Sequence, residues 1–254
     1  MSEQATLIKE FPEAHVTQDI DVFLSLQLWT NPERAIAFRT MLTRIGYEVA
    51  RHNWHFRKPY PDMPDRFVSL ELQARTPHKE EPVNLRDGQV GKGMGTGVAG
   101  YHTPEAFAVD ESPLQLIYAD AEGRVRVPHP YTWLNLKVAA AYDWLREKNG
   151  EIEAKVYRET GISRRLKHVY DVYVLVAMLT EQEQTEAREL AHRYAKHPVA
   201  MEILKKAATL YADHEGEGMR AVELYARQSV ASTLRIDHEL FWEEGLKPVL
   251  GIPS

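Results

Sequence analysis

The stretch Thr17-Gln18-Asp19-Ile20-Asp21-Val22-Phe23-Leu24 decides how the rest of the chain is read. Ile20, Val22 and Phe23 are strand formers, and the run from Ile20 to Leu26 predicts a first β-strand. Carboxylates at i and i+2 of a strand point to one side, so Asp19 and Asp21 are placed to share a hard divalent cation through oxygen ligands. A metal–phosphate site ordinarily takes a third carboxylate from a neighbouring strand, because two Mg2+ ions clamp the attacking and leaving oxygens. Glu71 is the candidate, with Ser69 on its face.

Working outward, Asn31 and Pro32 open a helix: Asn31 caps it, Pro32 suits the first helical position and Glu33 complements the dipole. Ile36, Met41, Leu42 and Ile45 form its apolar stripe, and Gly46 stops it. Tyr47 to Arg51 and Phe67 to Leu72 read as strands; in the second, Phe67, Ser69 and Glu71 face one way and Val68, Leu70 and Leu72 the other. Residues 76–104 hold six of the fourteen glycines, from Gly88 to Gly100, and read as a long mobile loop. Leu114 to Tyr118, the turn Asp120 to Gly123 and Arg124 to Val127 predict a hairpin that closes the first domain. After Pro128 nearly everything is helical. Trp133, Leu136, Lys137, Ala140, Ala141, Trp144 and Leu145 fit a 3.6-residue period that Asn149-Gly150 breaks. A helix is expected from Ser163 to Leu179 with Leu166, Tyr170, Tyr173, Val174 and Ala177 facing a core, and Thr180 with Glu183 is a capping box for the next. Pro198 opens another, and two more lie around Met219 to Val230 and Asp237 to Glu244.

Composition narrows the function. The chain has 254 residues, 44% of them hydrophobic and 27% charged, enough for one or two domains with real cores. The absence of cysteine excludes disulfides, cysteine-ligated zinc, iron–sulfur clusters and thiol catalysis. A net charge of −6 excludes a generally basic nucleic-acid coat while leaving room for a local basic face. The longest apolar run, Val172 to Leu179, is far short of the roughly 20 residues that span a bilayer, and residues 1–15 lack the basic and apolar regions of a secretory signal. A cytoplasmic protein with no membrane partner is the expectation.

Two further groups can carry chemistry. Lys137 stands alone in the apolar, aromatic stretch Trp133 to Tyr142, where it either snorkels to the surface or reaches into a cleft as a phosphate-binding charge. Arg164, Lys167 and Asp171 share a helix face at spacings of three and four, which reads either as an intrahelical ion pair or as Asp171 accepting from Lys137 or a nucleotide while the bases contact phosphates. The five bases from Lys155 to Lys167 form the strongest positive cluster, a solvated helix start or an RNA-backbone contact. The histidines show no H-x3-H or H-E-x-x-H pair, and the tryptophans read as core. A D-x-D also occurs at solvated strand ends and in glycosyltransferases, where it follows an apolar strand; here the apolar run follows the second Asp.

Taken in order, T-x-D-I-D-V-F-L on a strand, a later strand with a carboxylate, a lone Lys after His129-Pro130, and Lys167-His-Val-Tyr170-Asp171-Val-Tyr173 on a helix resemble the AbiEii-like nucleotidyltransferases, with MenT-type toxins nearest in kind. The resemblance covers residues 15–180. It implies an α+β fold: a nucleotidyltransferase-like mixed β-sheet domain over 1–127, a helical domain over 128–254, and the nucleotide between them. It further implies that Asp19 and Asp21 bind Mg2+ or Mn2+, with Glu71 at the third metal position, where the family more often has Asp. Lys137 would contact the triphosphate of an NTP, Asp171 would be the second-domain acid, and Arg164 and Lys167 would lie beside the nucleotide. The implied activity moves an NMP from the NTP to a hydroxyl of tRNA, another RNA or a protein, in a toxin paired with a cognate antitoxin. One departure supports a second expectation. The family carries a Gly-Gly or Gly-Ser turn roughly ten residues before its D-x-D, whose amides hold phosphates, whereas Ala5 to Ala14 contains no glycine. A nucleotidyltransferase-like protein without catalysis, acting as a protein or RNA binding partner, is therefore the alternative. The glycines of 88–100 lack the G-x-x-x-x-G-K-[ST] spacing and follow the wrong strand.

Overall fold

The strand formers after Asp19 make β1 (Asp19–Phe23). The computed structural model describes residues 19–110, 115–119, 123–156, 163–229 and 236–252. Thr17, the upstream segment 5–14, turn residues 120–122 and Arg158 of the basic cluster lie outside them. The strand expected to reach Leu26 ends at Phe23, because Ser25 caps a short helix, α1 (Leu26–Trp29), whose Leu26 and Trp29 are buried. The Ser25 hydroxyl accepts from the Gln27 N–H at 3.3 Å. Helix α2 (Pro32–Arg44) begins as read, the Asn31 side chain accepting from the Arg34 N–H at 3.0 Å. Its buried face differs from the expected stripe. Ala35 and Leu42, one heptad apart, are buried with Phe38 packed beside them, while Ile36, Met41 and Ile45 are exposed.

The sheet is built on one long strand. β2 (Glu48–Val49) keeps two residues of the expected 47–51 strand, β3 (His55–Tyr60) was not foreseen, and β4 runs the full Met63–Ala74. β3 pairs antiparallel along one edge of β4, and β1 pairs parallel with its residues 69–73. The glycine-rich segment expected as a mobile loop joins the same sheet through β5 (Leu85–Arg86), β6 (Gln89–Val90) and β7 (Gly100–His102), in the order β2-β3-β4-β7-β6-β5. Burial of Val90, Val98 and Ala99 supplies the apolar anchor that glycine counting overlooked. Gly100 shows why glycine is used there: a Cβ on it would lie 3.0 Å from both Ala74 Cβ and Trp29 Cζ2. Leu70, Leu72 and Ala74 face the core with Phe56, Trp29, Ala35 and Leu42.

The described residues form two compact units, 19–110 and 115–252. The division precedes the hairpin of β8 (Gln115–Ala119) and β9 (Gly123–Val127), which belongs with the helices; the sequence placed the boundary after it, at 127/128. The second unit continues with α3 (Pro130–Lys148), α4 (Leu166–Met178), α5 (Glu181–Arg193), α6 (Pro198–Tyr211) and α7 (Glu217–Ser229). A π-helical segment (Glu239–Leu246) and α8 (Lys247–Leu250) end it. The Thr180–Glu183 capping box forms in full. In α4 the core residues are Leu166, Val169, Tyr170, Val172, Tyr173 and Val176, with Val174 and Ala177 only half-buried. The chain is thus α+β with a mixed sheet, and no helix among the described residues is long and apolar enough to cross a membrane.

One buried cation secures the first unit. Arg75, directly after β4, donates from Nη2 and Nη1 to Glu81 Oε1 and Oε2 at 2.7 and 2.9 Å, from Nη1 to the Thr76 carbonyl at 2.9 Å, and from Nε to Asp110. The Arg75 hydrogen bonds hold the Glu81 carboxyl down to about 2. A folded-state value below the unfolded one makes this contribution full above about pH 4.5 and lost as pH falls toward about 2. Denaturant titrations of the full chain across that window are expected to show a falling stability that Glu81→Gln partly removes; parallel curves for the two proteins would exclude the linkage.

Candidate active site

Strand pairing sets the first constellation. In the parallel β1–β4 register Asp19 stands beside Ser69 and Asp21 beside Glu71; across β4, Glu71 faces His55 and Ser69 faces Arg57. Neighbouring strands lie about 4.8 Å apart and paired residues share a face. Two rows result, Asp21–Glu71–His55 and Asp19–Ser69–Arg57, on the side of β4 away from Leu70 and Leu72. Asp19, Asp21 and Arg57 are exposed, Glu71 and His55 half-buried and Ser69 buried.

Hydrogen bonds orient this face. Gln73 Nε2 donates to Asp21 Oδ1 at 2.8 Å, while Gln73 Oε1 accepts from the Thr103 hydroxyl at 3.0 Å, so the second Asp is tied through Gln73 to the residue after β7. His55 Nε2 and Ser69 Oγ are 2.9 Å apart. Burial lowers the His55 pKa against the opposing pull of Asp19. The Trp54 ring stacks on His52 and His55 at centroid distances of 5.3 and 5.8 Å and meets Tyr101 at 5.1 Å. Tyr101 is exposed and pairs with Gln73, which puts it on the carboxylate face. Three carboxylates are the hard oxygen donors that Mg2+ or Mn2+ takes. Asp19, Asp21 and Glu71 therefore fit such an ion in kind, although no three His, Asp or Glu side chains among the described residues are gathered into one metal-holding group.

The second constellation lies between α3 and α4. Lys137 Nζ donates to Asp171 Oδ2 at 2.7 Å, and His168 Nδ1 is 3.2 Å from the same oxygen and 3.5 Å from Lys137 Nζ. Lys137 is therefore held by an acid on the facing helix, and the reading of Asp171 as its acceptor describes the contact; Asp171 pairs with Lys137 and His168 in place of an intrahelical partnership with Lys167. Burial acts to raise the Asp171 carboxyl, but the His168 hydrogen bond and the Lys137 charge outweigh it and hold the pKa below its usual value. Burial is the main cause that lowers His168, with Lys137 adding to it and Asp171 opposing. Arg164 and Lys167 are exposed at the start of α4. Of the basic cluster, Arg165 turns inward to the buried carboxylate of Glu147.

Sequence reading paired Asp19 with Asp21 and pointed to Glu71, and it named Lys137 and Asp171. It missed His55, Gln73, Trp54 and Tyr101, which only strand register brings to the carboxylates, and His168. The alternation His55-Phe56-Arg57 was the available sign of β3. Comparison of the chain with protein-family models, curated proteins and solved structures finds no match.

Because Lys137 lowers the His168 pKa and Asp171 raises it, Lys137→Met is expected to move the His168 titration midpoint upward, read from its imidazole proton resonance. A midpoint unchanged by the substitution would mean that the three groups are not coupled.

Proposed function

We propose that the chain is a metal-dependent nucleotidyltransferase of AbiEii-like type, which moves a nucleoside monophosphate from an NTP to a hydroxyl of an RNA or a protein. The observation that carries this reading is the β1–β4 register, which sets Asp19, Asp21 and Glu71 on one sheet face. In the transfer, the acceptor oxygen bonds to the α-phosphorus, the bond to pyrophosphate breaks so that pyrophosphate leaves, and the acceptor proton passes to solvent water. A divalent ion held by Asp19, Asp21 and Glu71 would supply charge neutralisation at the phosphates. Gln73 fixes the Asp21 carboxylate through its 2.8 Å hydrogen bond, so that it need not be ordered when the substrate arrives. Tyr101, exposed beside Trp54, offers a ring against which a base can stack.

Calorimetry with each NTP, with and without Mg2+ or Mn2+, tests binding, and label transfer from an α-32P-NTP to added RNA or protein tests chemistry. Metal-dependent binding is expected, with transfer reduced about 100-fold or more in Asp21→Asn while the melting temperature barely changes. Transfer that survives Asp19→Ala/Asp21→Ala overturns the mechanism. Failure of every NTP to bind a folded chain replaces it with the non-catalytic reading, a nucleotidyltransferase-like binding protein.

A further inference from the structure

The segment Gly91-Lys-Gly-Met-Gly-Thr-Gly97 joins β6 toward β7 with an unusual backbone. Its four glycines have φ of +75°, +88°, +72° and +71°, and the three residues between them are not in the positive region, so the chain changes hand at every step. Successive residues of opposite hand turn their N–H groups into one concavity, the geometry that receives anions in phosphate-binding loops. The Gly91 N–H is taken by the Asn84 carbonyl and that of Met94 by the Gly91 carbonyl, but among the described residues no acceptor takes the N–H of Gly93, Gly95, Thr96 or Gly97. A Cβ on Gly93 or Gly95 would meet nothing within 4 Å, so packing does not demand glycine there; the backbone hand does.

Two cations face this loop. A Cβ on Gly97 would lie 2.6 Å from Arg39 Cζ, which means the guanidinium is laid across the segment. Between α2 and the loop runs an open groove of about 600 Å³ lined by Arg39, Thr40, Thr43, Arg44, Gly95 and Thr96. It carries no carboxylate, and among the described residues no acid pairs with Arg39 or Arg44. The hydroxyl protons of Thr40 and Thr43 go to the Ile36 and Arg39 carbonyls within α2, which leaves backbone amides and guanidinium groups as the donors. Because α2 packs Ala35 and Leu42 with Leu70 and Leu72, the groove lies on the side of β4 opposite Asp21 and Glu71. It is therefore a place distinct from the carboxylate face and does not rest on the proposed transfer activity.

We propose that this groove is a phosphate-binding site, in which the N–H groups of Gly93, Gly95, Thr96 and Gly97 and the guanidinium groups of Arg39 and Arg44 take the oxygens of a phosphoryl group. The test is calorimetry of the full chain with inorganic pyrophosphate and, separately, with a single-stranded oligoribonucleotide, alongside amide shifts followed by NMR. Saturable binding is expected, with the Gly93, Gly95 and Thr96 amides moving. Affinity should fall about tenfold in Arg39→Gln, in Arg44→Gln and in Gly95→Ala. Titration without divalent metal separates this site from the transfer reaction, and Arg227→Gln, at an exposed cation of α7 outside the groove, should leave the affinity unchanged. Tighter, salt-sensitive binding of the oligoribonucleotide that is lost in Arg39→Gln would identify a nucleic-acid backbone as the source of the phosphate; equal binding of pyrophosphate would identify a small phosphorylated ligand. The arginines are exposed, so their variants retain the fold, checked by circular dichroism. The proposal is overturned if neither probe saturates, or if the Arg39→Gln/Arg44→Gln double variant binds as the parent does.

Discussion

Everything in the first unit depends on how β4 is paired. Its outer half forms a hairpin with β3, its middle takes β1 in parallel, and its last two residues take β7, so one strand carries three registers at once. Because side chains alternate along a strand, a slip of one residue would turn Leu70 and Leu72 to water and bury Glu71 among apolar groups. The cost of burying that charge and the loss of the apolar core act together, and the register is held by both. The same constraint that buries Leu72 is what lines up Asp19, Asp21 and Glu71.

The polar groups follow a second rule, that a carboxylate or cation taken partly out of water is held by a named partner. Glu81 is bound by Arg75, Asp171 by Lys137 and His168, and Glu147 by Arg165. Lys137–Asp171 and Glu147–Arg165 join residues 34 and 18 positions apart, and in each case the acid is shifted toward its charged form. The groove at Arg39 and Arg44 is different: it sets two exposed guanidinium groups beside a row of amides, and among the described residues no acid pairs with either arginine. Such a grouping of donors is where recognition of an external anion fits the chemistry.

How much was legible in the sequence differed with the range of the interaction. Caps and breaks were read correctly at Asn31, Thr180 and Asn149-Gly150, because a cap is a contact over two or three residues whose chemistry is all local. The helix α2 was found, but its buried side was not. Ile36, Met41 and Ile45 are more apolar than Ala35, yet Ala35 sits against the sheet because a small residue lets the helix approach closely. Residues 76–104 were misread as a loop because glycine content outweighed the few apolar residues, Val90, Val98 and Ala99, that anchor the segment. β3 was missed because Arg57, Lys58 and Pro59 hide its alternation, and with it went His55.

By itself the sequence determined local features: the longer helices with the caps and breaks at Asn31, Thr180 and Asn149-Gly150, that Asp19 and Asp21 share a strand face, and that Lys137 and Asp171 stand on successive long helices. Those follow from periods of two and 3.6 residues, which act within a few positions. Tertiary structure decided the rest. It chose Glu71 as the neighbour of Asp21, gave Lys137 to Asp171, brought Gln73 and Thr103 to bear on one carboxylate, and laid Arg39 across Gly97. Such pairings rest on strand register and helix packing between residues tens of positions apart, and many sequences with the same local pattern would satisfy them differently.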